Sequence, residues 1–154
     1  LVKVSPDGTA VSLLGDHLCY PNGLALSPER DSLFMVESSA ANILSIPLKK
    51  DDVEAPEIYV QLQGTVPDGL AFDQAGNLYV ACYKPDLIYK VDRYRNVQVL
   101  IDDKTGQVLR RPTNVAFSPD DSTLLYFSNL GGWYIGALDV GISGSRLCYP
   151  TATR

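Results

Sequence analysis

Pro67-Asp68-Gly69-Leu70-Ala71-Phe72-Asp73, with Asn77-Leu78-Tyr79-Val80 close behind, decides the reading of the chain because the pattern occurs three times. Upstream stands Pro21-Asn22-Gly23-Leu24-Ala25-Leu26-Ser27-Pro28, leading to Ser32-Leu33-Phe34-Met35-Val36. Downstream stands Pro112-Thr113-Asn114-Val115-Ala116-Phe117-Ser118-Pro119, leading to Ser122-Thr123-Leu124-Leu125-Tyr126-Phe127. The leading prolines are 46 and 45 residues apart. A period of about 40–50 residues made of short strands marks the blades of a β-propeller.

Each repeat predicts a four-stranded blade. The first strand, of the Gly-Leu-Ala-Leu type, is almost wholly apolar and suits an innermost strand buried between blades. A polar turn follows, such as Pro28-Glu29-Arg30-Asp31 or Gln74-Ala75-Gly76-Asn77. The second strand is Leu33–Glu37, Leu78–Cys82 or Leu124–Ser128, and the third alternates, as in Leu87-Ile88-Tyr89-Lys90-Val91-Asp92. Ile58–Leu62 and Val97–Ile101 read as outer strands. Leu1–Val4 and Thr9–Leu14 read as a hairpin, the outer half of a blade. No segment has helical periodicity. The expected fold is all-β, a propeller with about three and a half blades: a partial blade over 1–20, then blades 21–66, 67–111 and 112–154.

Composition narrows the function. Apolar residues make up 45% and charged residues 20% of the chain, which is globular. No run nears the roughly 18 apolar residues of a membrane span. A formal net charge of -5 without a basic cluster gives no electrostatic basis for binding nucleic acid or an anionic membrane. Cys19, Cys82 and Cys148 lack metal-site spacing. They read as buried free thiols in a reducing, cytoplasmic setting, with one disulfide plus a spare thiol as the alternative. The chain opens at Leu1 on strand-like sequence, which reads as a start inside a domain. An arc of this size cannot close a ring alone, so either an upstream half or a second copy in a homodimer is expected to complete it.

The repeat brings Asn22, Asp68 and Thr113 to equivalent places at one mouth of the channel. A carboxylate and an amide oxygen converging there would form half of a site for Ca²⁺, Mg²⁺ or Mn²⁺. Asn-Gly and Asp-Gly are also common turn formers, because glycine supplies positive φ, and from spacing alone both readings stand. Tyr83, Thr113 and Asn129 are placed to offer polar contacts at the mouth or to be ordinary rim residues. Glu37 reads as an exposed loop carboxylate and His17 as a surface or interblade histidine. Trp133 and the tyrosines read as interblade packing. No Gly-x-Ser-x-Gly elbow or phosphate-cradling loop occurs.

The Pro21–Pro28 and Pro67–Asp73 segments resemble the two best-marked signatures of the gluconolactonase/regucalcin family. Pro112–Phe117, Ser128–Trp133 and Gly144–Pro150 are similar to the C-terminal region of its bacterial members. The resemblance covers the second half of a six-bladed propeller about twice this length. It implies one divalent ion, Ca²⁺ first with Zn²⁺, Mg²⁺ or Mn²⁺ as alternatives, held by Asn22 and Asp68. It makes Asp68 the general base in hydrolysis of a sugar lactone. The family's third ligand, a glutamate, and a substrate-contacting arginine and asparagine lie upstream of the positions present here. Two other readings compete: a non-catalytic propeller scaffold, and a strictosidine-synthase-like propeller, which shares the Asn-Gly-x-Ala-Leu-Ser style but fits Pro67-Asp68-Gly69 less well.

Overall fold

The structure, a computed structural model, describes residues 1–5, 7–9, 11–13, 17–48, 55–120 and 122–147. Lys49–Asp52, read as a charged loop tip, and Cys148 lie outside them. The described residues contain no helix, hence none long and apolar enough to cross a membrane.

Strands follow one another as antiparallel meanders. β1 (Val2–Val4) and β2 (Val11–Leu13) pair as a hairpin. A four-stranded sheet takes β3 (Pro21–Leu26), β4 (Ser32–Glu37), β5 (Asn42–Pro47) and β6 (Glu57–Gln61) in chain order. A second takes β7 (Val66–Phe72), β8 (Leu78–Lys84), β9 (Leu87–Val91) and β10 (Val97–Asp102). A third takes β11 (Pro112–Phe117), β12 (Leu124–Asn129) and β13 (Gly136–Asp139). The first strands of the three sheets, β3, β7 and β11, lie side by side. This is a β-propeller arc, three blades and a terminal hairpin.

Packing explains why second strands are unbroken apolar runs. On β8, Leu78, Val80 and Cys82 point into a cluster with Phe34, Val36, Ile43 and Val60 of the preceding sheet. Tyr79 and Ala81 point the opposite way, into a cluster with Val115, Leu125 and Phe127 of the following sheet. The sheet is sandwiched, so both alternating faces of β8 must be apolar. On β4, Phe34 and Val36 face the second sheet, while Met35 packs with Leu44 and Ile46 against Leu1 and Leu18. The expectation that the first strand is buried between blades holds on β7, where Leu70 and Phe72 are 5% and 6% exposed, and fails on β3, where Leu24 and Leu26 are 49% and 47% exposed. Their side chains face an open cavity rather than a neighbouring sheet.

Edge-to-face rings knit the first two blades. Phe34 meets Tyr59 at 4.9 Å and Phe72 at 4.8 Å between ring centroids. The Tyr59 hydroxyl donates to the Asp92 carbonyl across the blade boundary at 3.1 Å. The polar turns close on side chains. Asp73 Oδ1 accepts from the Ala75 and Asn77 amides, and its Oδ2 accepts from Asn77 Nδ2. Asp92 repeats the pattern with Tyr94 and Asn96. After β13 the chain returns to the second blade: Gly144 bridges Asp73, and the Ser145 amide donates to the Phe72 carbonyl at 2.8 Å.

A candidate metal-assisted site at the channel mouth

The three first strands share an irregularity. On β3, Pro21 opposes Glu37 and Leu24 opposes Met35, so one residue is extra between them. On β7, Pro67 opposes Cys82 and Leu70 opposes Val80. On β11, Pro112 opposes Asn129 and Asn114 opposes Ser128. Each bulge falls just after the proline, within Asn22-Gly23, within Asp68-Gly69 or at Thr113. A β-bulge breaks the alternation of the strand and re-aims one side chain. This places the candidate residues at one end of the inner strands.

The glycines that follow have a different cause from turn formation. Gly23 and Gly69 lie within β3 and β7 and have no positive φ. A Cβ on Gly23 would overlap the Asp68 carbonyl oxygen, and one on Gly69 would overlap Asn114. Glycine is therefore required by close approach of neighbouring blades, and the turn reading of Asn22-Gly23 and Asp68-Gly69 is corrected.

Asn22 and Asp68, from adjacent blades, come together. Burial pushes the Asp68 carboxyl above the ordinary carboxylate range, and a hydrogen bond from the Asn22 side chain pulls the other way. Ser38 keys the pair in place: its Oγ accepts from Asn22 Nδ2 at 3.3 Å and donates to the Pro67 carbonyl at 2.6 Å. The Asn22 amide oxygen and the half-buried Asp68 carboxylate are hard donors that suit part of a divalent-cation shell. Among the described residues, no three His, Cys, Asp or Glu side chains converge to complete one.

The other expected residues line the same end but make separate contacts. Thr113 Oγ1 shares a hydrogen bond with Ser128 Oγ at 3.0 Å. Asn129 Nδ2 donates to the Tyr134 carbonyl at 3.1 Å, while its Oδ1 is buried without a partner. Tyr83 follows Cys82 at the end of β8, with the Arg111 guanidinium 5.8 Å from its ring centre. Burial pushes the Cys82 thiol up to about 12, helped by the Asp68 charge, so it is a packing residue and no nucleophile.

Several sequence expectations are revised. Glu37 is buried, its Oε1 accepting the Cys19 amide at 2.8 Å. Cys19 is exposed; it and Cys82 are both free thiols. Trp133 fills no interblade space: it is 103% exposed, on the loop between β12 and β13. His17 is exposed. Ser38 and Arg111 were missed. Arg111 stands immediately before the third repeat's proline, where Tyr20 and Val66 stand in the others, and that alignment was the available signal.

A cavity of about 660 Å³ runs along β3, β7 and β11 and is walled at one side by Gly144–Leu147. Asn22 and Asp68 do not line it, but Gly23 and Asn114, beside the bulges, do.

Fold and site together define a β-propeller that gathers oxygen donors from neighbouring blades at one end of its channel. A family model described as "SMP-30/Gluconolactonase/LRE-like region" matches residues 1–130. The chain belongs to that family. Lactonase drp35 of Staphylococcus aureus (strain MW2) is 28% identical over 155 residues, covering 95% of this chain and 44% of that protein. The chain thus spans less than half the length of the curated relatives it matches. Among solved structures, regucalcin from Agrobacterium tumefaciens, titled a calcium-binding protein, superposes with a TM-score of 0.74 at 17% identity, over 97% of this chain and 54% of that one. A gluconolactonase from Xanthomonas campestris superposes with a TM-score of 0.69 at 19% identity, over 83% of this chain and 40% of that one. At these identities the superpositions establish the fold.

Proposed function

We propose that this chain forms the metal-binding side of a lactone hydrolase acting on sugar lactones or similar cyclic esters. The observation that carries this reading is the meeting of Asn22 and Asp68, from separate blades, at bulges of equal register. The family match and the lactonase relatives support it. A divalent cation bound there, Ca²⁺ first with Mg²⁺, Mn²⁺ or Zn²⁺ as alternatives, would supply Lewis acidity toward the lactone carbonyl.

Asn22 and Asp68 would hold the ion through oxygen. Asp68 would also take the proton from the attacking water, because a carboxylate whose basicity is raised by burial is a better proton acceptor near neutrality. Tyr83, Thr113 and Asn129 would orient the hydroxyls of the substrate. The remaining blades of a six-bladed ring, with the rest of the cation shell, would come from further chain or from a second copy.

The test pairs calorimetry with turnover on the assembled protein. Wild type binds one divalent ion per site and hydrolyses glucono-1,5-lactone. Asp68→Ala loses both, with turnover down at least a thousandfold. Unchanged hydrolysis in Asp68→Ala rejects the mechanism. Absence of ion binding at millimolar Ca²⁺ or Zn²⁺ favours a non-catalytic scaffold.

A further inference from the structure

Arg111 immediately precedes β11, at the mouth end of the inner strands, and the proposed reaction leaves it unused. Its guanidinium covers the ring of Tyr83, at 5.8 Å from the centroid. Tyr83 lies on β8 opposite Val66 and Pro67, and Arg111 immediately precedes Pro112 of β11, so the pair stands at the same end of the inner strands as Asp68. A ring face engages none of the five N–H donors of the guanidinium. No carboxylate among the described residues forms an ion pair with it. Asp86 has its Oδ2 committed to the Arg111 backbone amide at 3.0 Å.

The backbone beneath is fixed. Arg110 and Arg111 both have positive φ, 48° and 61°. The Leu130 amide donates to the Arg111 carbonyl at 3.0 Å, and the Gly131 amide donates to the Arg110 carbonyl at 2.9 Å. Two consecutive residues in the left-handed region persist only where surroundings over-determine them, and such strain gathers at binding sites. A pinned backbone and a ring platform present a planar fork with free donors, the arrangement that recognises oxyanions in bidentate fashion. The chain's other comparable pair, Arg95 over Tyr59 at 5.1 Å, lies at a blade boundary beside Asp92.

We propose that Arg111, held over Tyr83, is a specificity residue that binds a second oxyanion of the substrate, a carboxylate or phosphate remote from the lactone ring. The proposal rests on the lactone-hydrolase reading and narrows its substrate class to acidic lactones.

Binding of the hydrolysed acids tests it without turnover. Gluconate carries one carboxylate, glucarate adds a second, and 6-phosphogluconate adds a phosphate. Calorimetry on the assembled protein at physiological salt should show glucarate or 6-phosphogluconate binding at least tenfold tighter than gluconate; which of the two wins identifies the oxyanion. Arg111→Gln should bring the ratio within twofold at unchanged melting temperature, and Arg95→Gln should leave it intact. Equal affinities in wild type, a ratio that survives Arg111→Gln, or an equal loss in Arg95→Gln would each overturn the proposal. Lactone turnover is scored separately. If the ratio behaves as expected while Asp68→Ala still hydrolyses lactone, the hydrolase mechanism falls and the oxyanion site stands.

Discussion

Asp68 sits under opposing influences, and its pH response separates them. Burial favours the neutral acid, while the Asn22 hydrogen bond favours the anion, and burial dominates. A base must be ionised to work, so activity is lost as pH falls through the raised value. The acid limb of kcat/KM should therefore lie above the ordinary aspartate value of 3.8. Asn22→Ala should move that limb to still higher pH, and saturating divalent cation should move it down. A pH–rate series at subsaturating and saturating cation checks both directions. Gly69 poses a steric test at the same scale. Alanine there would force its Cβ into Asn114, and overpacking of this kind costs about 1–3 kcal/mol. Urea unfolding of Gly69→Ala should show that loss. Sequence placed the residues after the prolines at the mouth but left the glycines ambiguous. Their reason is a contact between strands some 45 residues apart, which no local pattern records.

Elements were legible wherever strand periodicity was at work. The four-strand rhythm of the repeats and the polar turns between them follow from alternation and from Asp-Asn turn chemistry, and the first two blades formed accordingly, while the third has three strands among the described residues. Which face of an element meets which neighbour was less legible. Glu37 looked exposed because it is charged and ends a strand, yet it is buried and accepts a hydrogen bond from the Cys19 backbone amide. Trp133 looked buried because it is large, yet its loop projects from the blade. One loop has a checkable role. Asp103 Oδ2 accepts the Val108 and Leu109 amides at 2.7 and 2.8 Å, seating the fully buried Leu109 just before the strained Arg110 and Arg111. Those hydrogen bonds lower the Asp103 carboxyl from 3.8 to about 2. A depressed folded value gives stability that is present above 3.8 and vanishes as pH falls through about 2. Asp103→Ala should melt lower than wild type at neutral pH, and the gap should close on acidification across that window.

The molecule as a whole is an arc with unlike ends. The first sheet packs Met35, Leu44 and Ile46 toward Leu1 and Leu18, while the third leaves Tyr126 and the loop with Leu130 and Trp133 uncovered. Inner strands that would line a closed channel show Leu24 and Leu26 to an open cavity. Apolar surface of this extent favours association. Residues 1–154 expressed alone should therefore run in light scattering at twice the monomer mass or more, and a stable monomer would remove the idea that copies complete one another. Sequence made the arc legible through its period.

Asn114 stands in the third repeat where Gly23 and Gly69 stand in the first two. The first joint sets Gly23 on bare backbone, the second sets Gly69 against the Asn114 carboxamide, and the next one has no glycine to offer. Three interchangeable vanes would contain no record of where a rotor starts. This one has a marked vane, so the joint after it cannot copy the two before, and an endless stack of like joints is interrupted. The circle is thereby given a seam, a fixed origin from which its sectors can be counted.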